Sequence, residues 1–341
     1  MKAMVLAAGL GTRLQPLTSL LPKPLVPVLN RALLDYTLQL LRQSGIGEIM
    51  INLHHLPRLI PQRYGDGKRW GLEIFYSPES ALLGTAGALR QVASFWEKEP
   101  LLVIHGDVLL DIDLPAFIRF HQDRKSWATL ALTPYRSTHG YGIIWTDKRG
   151  RIEQFLEVKR PHSSPLYPYT FTGVQILEPS VQDLLPAQGF ALLTGTVYPA
   201  LLRENLPFWG YVTSGYWSDI GTPARYLQTH FDLLSRPAPL FPLAPVATET
   251  PYARSPGSTL TPPLLLGHDV RLGKRVRLGP FVVVGDNCRI GDDVTLSASL
   301  LWDQVVLERG VEVQESILGS RVSVPARSKV HRAVRVMAEG G

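Results

Sequence analysis

The stretch LAAGLGTRLQPLTSLLPKPLVPVLN, residues 6–30, decides how the first two thirds of the chain fold. It opens inside a short apolar run, Lys2 to Ala8, of the kind that forms a strand buried on both faces. Gly9-Leu10-Gly11 follows directly, so backbone N–H groups at the C-terminal edge of a sheet can face a phosphate chain. The turn is not a Walker loop, because no Gly-Lys-Ser/Thr follows. The dinucleotide fingerprint also fails, at Leu14, where the third glycine would stand. What distinguishes the stretch is Gly11-Thr12-Arg13 in the turn and Pro22-Lys23-Pro24 after it. They hold two cations, Arg13 and Lys23, on restricted backbone near one polyphosphate.

Working outward, the pattern to about Ser235 alternates strand and helix. Asn30 is a candidate N-cap for a helix over Arg31 to Ser44, with Gly45 as its stop. Glu48 to Leu53, Leu72 to Ser77 and Leu101 to His105 read as strands, and Thr85 to Trp96 as a helix. Such alternation predicts an α/β fold with a doubly wound, mostly parallel sheet. Of the 28 prolines, those from Pro237 to Pro263 crowd a segment without periodicity, which reads as a linker. Beyond it, Gly267, Gly273, Gly279, Gly285 and Gly291 recur every six residues, each after an aliphatic residue. Val270, Val276, Val282, Cys288 and Val294 keep the same period, which is that of a parallel β-helix. The period loosens around Leu300 to Gly310. The expected domains are 1–235, a linker 236–263, a repeat domain 264–330 and a tail 331–341.

Composition narrows the class further. A 341-residue chain with 45% hydrophobic residues excludes global disorder, and one cysteine excludes an internal disulfide framework. Cys288 takes a core slot of its repeat. No apolar run approaches the roughly 18 residues needed to span a bilayer. Met1 to Leu10 mimics a short signal peptide but breaks at Gly11-Thr12-Arg13, so the expectation is a cytoplasmic protein with no membrane partner. The net charge of +6 is scattered rather than bunched with aromatics, which argues against nucleic acid. His54-His55 lacks acidic or cysteine partners at useful spacing and reads as a loop edge rather than a metal site.

The motifs together resemble the sugar-phosphate nucleotidyltransferase (nucleotide-sugar pyrophosphorylase) family. G-x-G-T-R-x-x-P-L-T with P-K-P is similar to its signature. Leu83 to Gly87 resembles its base loop, and Gly106-Asp107 its metal-binding G-D. Gly140-Tyr141-Gly142 and Phe155-Leu156-Glu157 resemble its sugar-contacting segments, and Trp217 to Pro223 its second metal motif. The resemblance implies a Rossmann-like sheet followed by a left-handed hexapeptide β-helix. It implies transfer from a nucleoside triphosphate to a sugar 1-phosphate with release of pyrophosphate. GTP and mannose 1-phosphate are the expected pair, because Leu83 to Gly87, Pro24 to Val28 and the repeat tail are most similar to the mannose-1-phosphate guanylyltransferase group. Thymidylyl or uridylyl transfer to a glucose or amino-sugar phosphate is the alternative.

The implied roles fall residue by residue. Arg13 and Lys23 are catalytic; Leu6, Ala8, Gly9, Gly11, Thr12, Arg13, Glu79, Gly84 and Thr85 bind the nucleotide. Gly142, Glu157, Lys159 and Thr172 bind the sugar phosphate, and Asp107 and Asp219 hold Mg²⁺, a hard cation suited to oxygen ligands. Three positions depart from the family: Glu157-Val158-Lys159 replaces E-K-P, His105 precedes Gly106-Asp107 in place of asparagine, and Thr172-Gly173 replaces Asn-x-Gly. His105 reads as packing. Two rival readings are an acyltransferase activity in the β-helix, using His268 or His331, and a non-catalytic binding protein. The β-helix is expected to mediate a homo-oligomer, which a monomer in light scattering at micromolar concentration would contradict.

Overall fold

The computed structural model describes residues 1–135, 141–161, 165–236 and 256–337. Most of the expected linker, residues 237–255, lies outside them. Among the described residues no helix is long and apolar enough to cross a membrane. The chain divides into two compact units. The first comprises Met1–Leu10, Pro22–Pro24 and Leu34–Asp219; the second comprises Gly11–Leu21, Leu25–Leu33 and the chain from Ile220 onward.

In the first unit the apolar runs form the strands that their burial requires. Lys2–Leu6 lies parallel between Glu48–Leu53 and Leu101–His105, and Glu73–Pro78 joins the far side of Glu48–Leu53. These four parallel strands are the Rossmann-like half of a ten-stranded mixed sheet. Tyr167–Leu177 closes onto Leu101–His105 antiparallel and carries the remaining strands. Met4, Leu101, Val103 and Trp96 are fully buried at its core. The helix Leu33–Gln43 stops at Gly45 (φ 75), where Ile46 N donates to Leu41 O at 3.0 Å. The helix expected over Thr85 to Trp96 is shorter: it spans Gly84–Gln91, and a separate 3₁₀ turn covers Ala93–Phe95.

Leu6 pairs with His105. Ala7 to Gly9 and Gly106-Asp107 therefore leave the sheet side by side at its C-terminal edge, the edge where open α/β sheets bind ligands.

The second unit holds the repeat. Its strands stack in three parallel sheets of five, five and four, an arrangement consistent with the left-handed β-helix implied by the sequence. Stacking begins earlier and ends later than the glycine period marks: Thr259–Leu260 pairs with Arg277–Leu278, and Ile317–Leu318 with Val334–Arg335. The loosened period also has a simple cause. Leu264 pairs with Val282, one 18-residue coil on, whereas Val282 pairs with Ser299 and Arg289 with Val306, 17 residues on. One corner residue is lost and the register of the core rungs survives.

Four of the five repeat glycines serve approach rather than turning; Gly279, at φ 98, does both. A Cβ on Gly273 would lie 2.6 Å from Asp292 N and 2.7 Å from the Gly291 carbonyl carbon in the next coil. The corners themselves are turned by Asp269, Arg275, Asn287, Asp293, Gln304, Arg321 and Arg327, all with φ between 53 and 65. Asp286 and Asp292 accept from His268 N and Lys274 N at 2.7 and 2.8 Å, which ties each corner to the coil beneath it. Replacing Gly273 by alanine is expected to cost about 1–3 kcal/mol, because backbone must move to admit one methyl. A midpoint of chemical unfolding equal to that of the native protein would refute the close-approach argument.

One expectation is corrected here. Asn30 does not cap the helix: with Leu29 (φ 46) it forms, at φ 62, the two-residue turn of a hairpin in which Val28 pairs with Arg31. Its Nδ2 donates to Val284 O at 2.8 Å. The helix Pro223–Leu234, the last element of the expected domain 1–235, makes its contacts within the second unit. The reason lies on the outer face of one sheet, where Leu265, Val283, Leu300 and Ile317 are no more than 7% exposed. Tyr226 on that helix donates to Pro27 O and accepts from Trp302 Nε1 at 3.0 Å, and the Phe231 and Phe281 rings lie 5.2 Å apart.

Candidate active site

Lys23 sits in a 3₁₀ turn, Lys23–Leu25, flanked by buried Pro22 and Pro24. Its ammonium donates to Asp107 Oδ2 at 2.6 Å and stands 3.8 Å from Asp219 Oδ1. The sheet explains why two acids 112 residues apart meet. Asp107 immediately precedes the strand Val108–Leu110, and Asp219 ends its antiparallel neighbour Trp217–Asp219, opposite Val108. Tyr141 donates to Asp219 Oδ2 at 2.9 Å, and its ring lies 5.2 Å from Trp217. Trp217 in turn donates from Nε1 to Thr172 O at 2.9 Å.

Burial is the largest single influence on the Asp107 carboxyl and raises it, but the Lys23 ammonium, His105 and a backbone hydrogen bond together leave it below its usual range. Burial also dominates at His105, holding it below the ordinary histidine value despite Asp107 and Asp219 nearby. His105 is therefore neutral at neutral pH. Its ring packs edge-on to Phe171 at 5.7 Å, and it also lines the cleft.

Asp219 Oδ1 is buried without a hydrogen-bond partner. An orphaned carboxylate oxygen beside a second carboxylate suits a hard cation that takes its other ligands from phosphate and water. Among the described residues there is no cluster of three or more His, Cys, Asp or Glu able to hold a metal alone. The two acids thus fit a metal shared with a substrate.

The same cleft gathers most of the expected nucleotide-binding residues: Leu6, Ala8, Gly9, Glu79, Gly84 and Thr85. Glu79 is 6% exposed and organises the wall. Its Oε1 accepts from Asn52 Nδ2 at 2.6 Å, its Oε2 from Leu83 N at 3.0 Å, and Asn52 Oδ1 accepts from Ala7 N at 2.7 Å. His54 Nδ1 bonds Glu79 O at 2.9 Å, which gives that histidine a loop-anchoring contact. Gly11, Thr12 and Arg13 belong to the second unit; Thr12 and Arg13 are exposed in the 3₁₀ turn Thr12–Leu14. Gly11 (φ 63) accepts from Thr18 Oγ1 at 2.9 Å.

The expected sugar-phosphate residues are not brought into this cleft. Leu156 (φ 50) and Glu157 form the turn between Ile152–Phe155 and Val158–Lys159, with Glu157 and Lys159 exposed. Gly142 is exposed; Gly140 lies outside the described residues. Thr172 is 1% exposed and donates its hydroxyl to Ala131 O at 2.8 Å. Sequence reasoning missed Asn52, Phe190 and Leu192 in the cleft, and Tyr141 as the partner of Asp219. Asn52 was detectable as the polar residue inside the apolar strand Glu48–Leu53. Phe190 and Leu192 carry no local signal.

The family model described as "Nucleotidyl transferase" matches residues 2–236. The chain belongs to the nucleotidyl transferase family. A second model, "GMPPB C-terminal domain", matches residues 260–340. A UTP–glucose-1-phosphate uridylyltransferase of Synechocystis is 36% identical to this family member over 69% of the chain and 64% of the relative. A mannose-1-phosphate guanylyltransferase of Mycobacterium tuberculosis is 32% identical over 70% and 66%. The chain thus spans just under two thirds of these two relatives' lengths. An N-acetylmuramate α-1-phosphate uridylyltransferase of Neisseria meningitidis is 36% identical over 66% of the chain and 95% of the relative. A crystal structure of a Bacillus anthracis protein, provisionally named a glucose-1-phosphate thymidylyltransferase, shares the fold at a TM-score of 0.58 and 24% identity. It covers 68% of this chain and 94% of that one.

Proposed function

We propose that this nucleotidyltransferase joins a nucleoside triphosphate to a sugar 1-phosphate and releases pyrophosphate, with GTP and mannose 1-phosphate as substrates and GDP-mannose as product. The observation that carries the reading is Lys23, 2.6 Å from Asp107 and 3.8 Å from Asp219, at the C-terminal edge of a parallel sheet. The match of residues 260–340 and the relatives named mannose-1-phosphate guanylyltransferases support the choice of base and sugar.

In this reaction a sugar-phosphate oxygen attacks the α-phosphorus in line with departing pyrophosphate. A phosphate monoester with a second pKa near ~6 is mostly dianionic at neutral pH, so no histidine or serine base is required. Neutral His105 fits that economy of charge. Lys23 exchanges its ion pair with Asp107 for the reacting phosphates, and the burden on the protein is positioning and neutralisation. Asp107 and Asp219 would hold Mg²⁺, which would supply further positive charge against the phosphates. Arg13 enters from the sequence signature, as the cation that steadies pyrophosphate. Gly142, Glu157, Lys159 and Thr172 remain the proposed sugar-phosphate contacts, and the β-helix the proposed oligomer interface.

The uridylyltransferases of Synechocystis and Neisseria favour a second reading, uridylyl transfer. Pyrophosphate release with GTP, UTP and dTTP, each against mannose, glucose and amino-sugar 1-phosphates, separates the two. The highest kcat/KM is expected for GTP with mannose 1-phosphate. A maximum with UTP establishes the second reading, and no release with any pair sinks both.

A further inference from the structure

Phe190 is the cleft residue for which the chemistry above has no use. At 65% exposure it is the most exposed of the large apolar side chains among the described residues, and Leu192 beside it is 42% exposed. An aromatic ring left in water forgoes the gain of burial, so its placement calls for an occupant.

The segment that carries it is firmly seated. Ala191 N donates to Leu83 O, Ala86 N to Ala191 O and Leu193 N to Thr85 Oγ1, each at 2.9 Å. The seating also dictates two glycines of the Leu83 to Gly87 motif. A Cβ on Gly84 (φ 71) would lie 2.4 Å from Ala191 O, and one on Gly87 2.6 Å from Gly189 O. Two methyls are thus excluded so that this loop can dock on the first turn of the helix Gly84–Gln91. A docked loop that holds its largest apolar ring exposed at a cleft is a preformed contact surface.

The chemistry of the rest of the cleft selects what the ring meets. Lys23 gives the triphosphate its cation, and the residues expected to bind the sugar do not line this cavity. The planar, weakly polar part of a nucleoside triphosphate left for the Phe190 wall is the base. Resting on the function proposed above, we infer that Phe190 stacks on the nucleobase of the bound triphosphate, with Leu192 flanking it. Every base has a π-face, so the contact governs how tightly nucleotide is held more than which nucleotide is chosen.

The test compares wild-type protein with Phe190→Ala and Phe190→Trp by pyrophosphate release and by calorimetric titration with GTP and with inorganic tripolyphosphate, which lacks a base. Because the side chain is largely exposed, the thermal midpoint should hold in both variants. Phe190→Ala is expected to raise KM and the dissociation constant for GTP roughly tenfold. The sugar-phosphate KM and the tripolyphosphate dissociation constant should stay within about twofold, and Phe190→Trp should restore GTP binding. Equal weakening of GTP and tripolyphosphate, or unchanged GTP binding, overturns the inference. If wild-type protein binds GTP but releases no pyrophosphate, the proposed reaction fails while the titrations still decide Phe190. No GTP binding to wild-type protein overturns both.

Discussion

Lys23→Ala is expected to lower turnover a hundredfold or more with the fold intact, a loss of about 2.7 kcal/mol of transition-state stabilisation. Lys23 is the only cation at the paired acids of the first unit among the described residues, so no neighbour substitutes for it there. The fold should persist because the core of that unit is apolar and Lys23 is not part of it. The variant also has a pH signature. In the native protein the Asp107 carboxyl, raised by burial, is brought below its usual value by Lys23 together with His105 and a backbone hydrogen bond. A depressed carboxyl contributes stability that is present above its unfolded value and fades as pH falls through the folded one. Without Lys23 the burial effect raises the carboxyl, so this residue's share of the acid-side loss disappears and the difference in stability between neutral and acid pH should shrink. Turnover near that of the native protein would remove Lys23 from the mechanism.

Asp219→Asn should produce a second large loss, distinguishable from the first. The amide keeps the volume of the side chain but not its charge, and the orphaned Oδ1 is replaced as a donor to a hard cation. Turnover is expected to fall at least tenfold, and the magnesium concentration for half-maximal activity to rise by a similar factor. Perturbing the groups that hold a metal commonly changes affinity by ~10–100-fold. Lys23→Ala should leave the magnesium requirement much less affected. An unchanged magnesium profile in Asp219→Asn would exclude this carboxylate from the metal site.

The parallel strands were legible because each is a short apolar run buried on both faces, a pattern that needs no knowledge of partners. Lys23, Asp107 and Asp219 were legible as motifs, and the sheet supplied the reason they meet: Asp219 ends the strand paired with the one that Asp107 precedes. Asn30 misled because asparagine suits both an N-cap and a left-handed turn, and only the pairing of Val28 with Arg31 distinguishes them. Gly84 was legible as a cleft residue, but the reason it must be glycine was not: a Cβ there would meet Ala191 O, more than a hundred residues away. Phe190 could not be found at all, since its position depends on where that distant loop docks. In the β-helix the glycine period undercounted the coils, because Trp302 and Glu308 take the glycine position in the coil after Gly285 and Gly291 and each later coil drops one residue.

The single cysteine gives the molecule a practical property. Cys288 is fully buried in a β-helix rung, its thiol 3.1 Å from Trp302 O, and burial pushes it up to about 11. At neutral pH almost none of it is thiolate, and reagents that seek a thiolate find no target. The native sequence is therefore already a silent background for site-specific labelling. A cysteine introduced on the docked loop beside Phe190 would be the one reactive sulfur, and a fluorophore there would report nucleotide arrival without removing any native residue from the core.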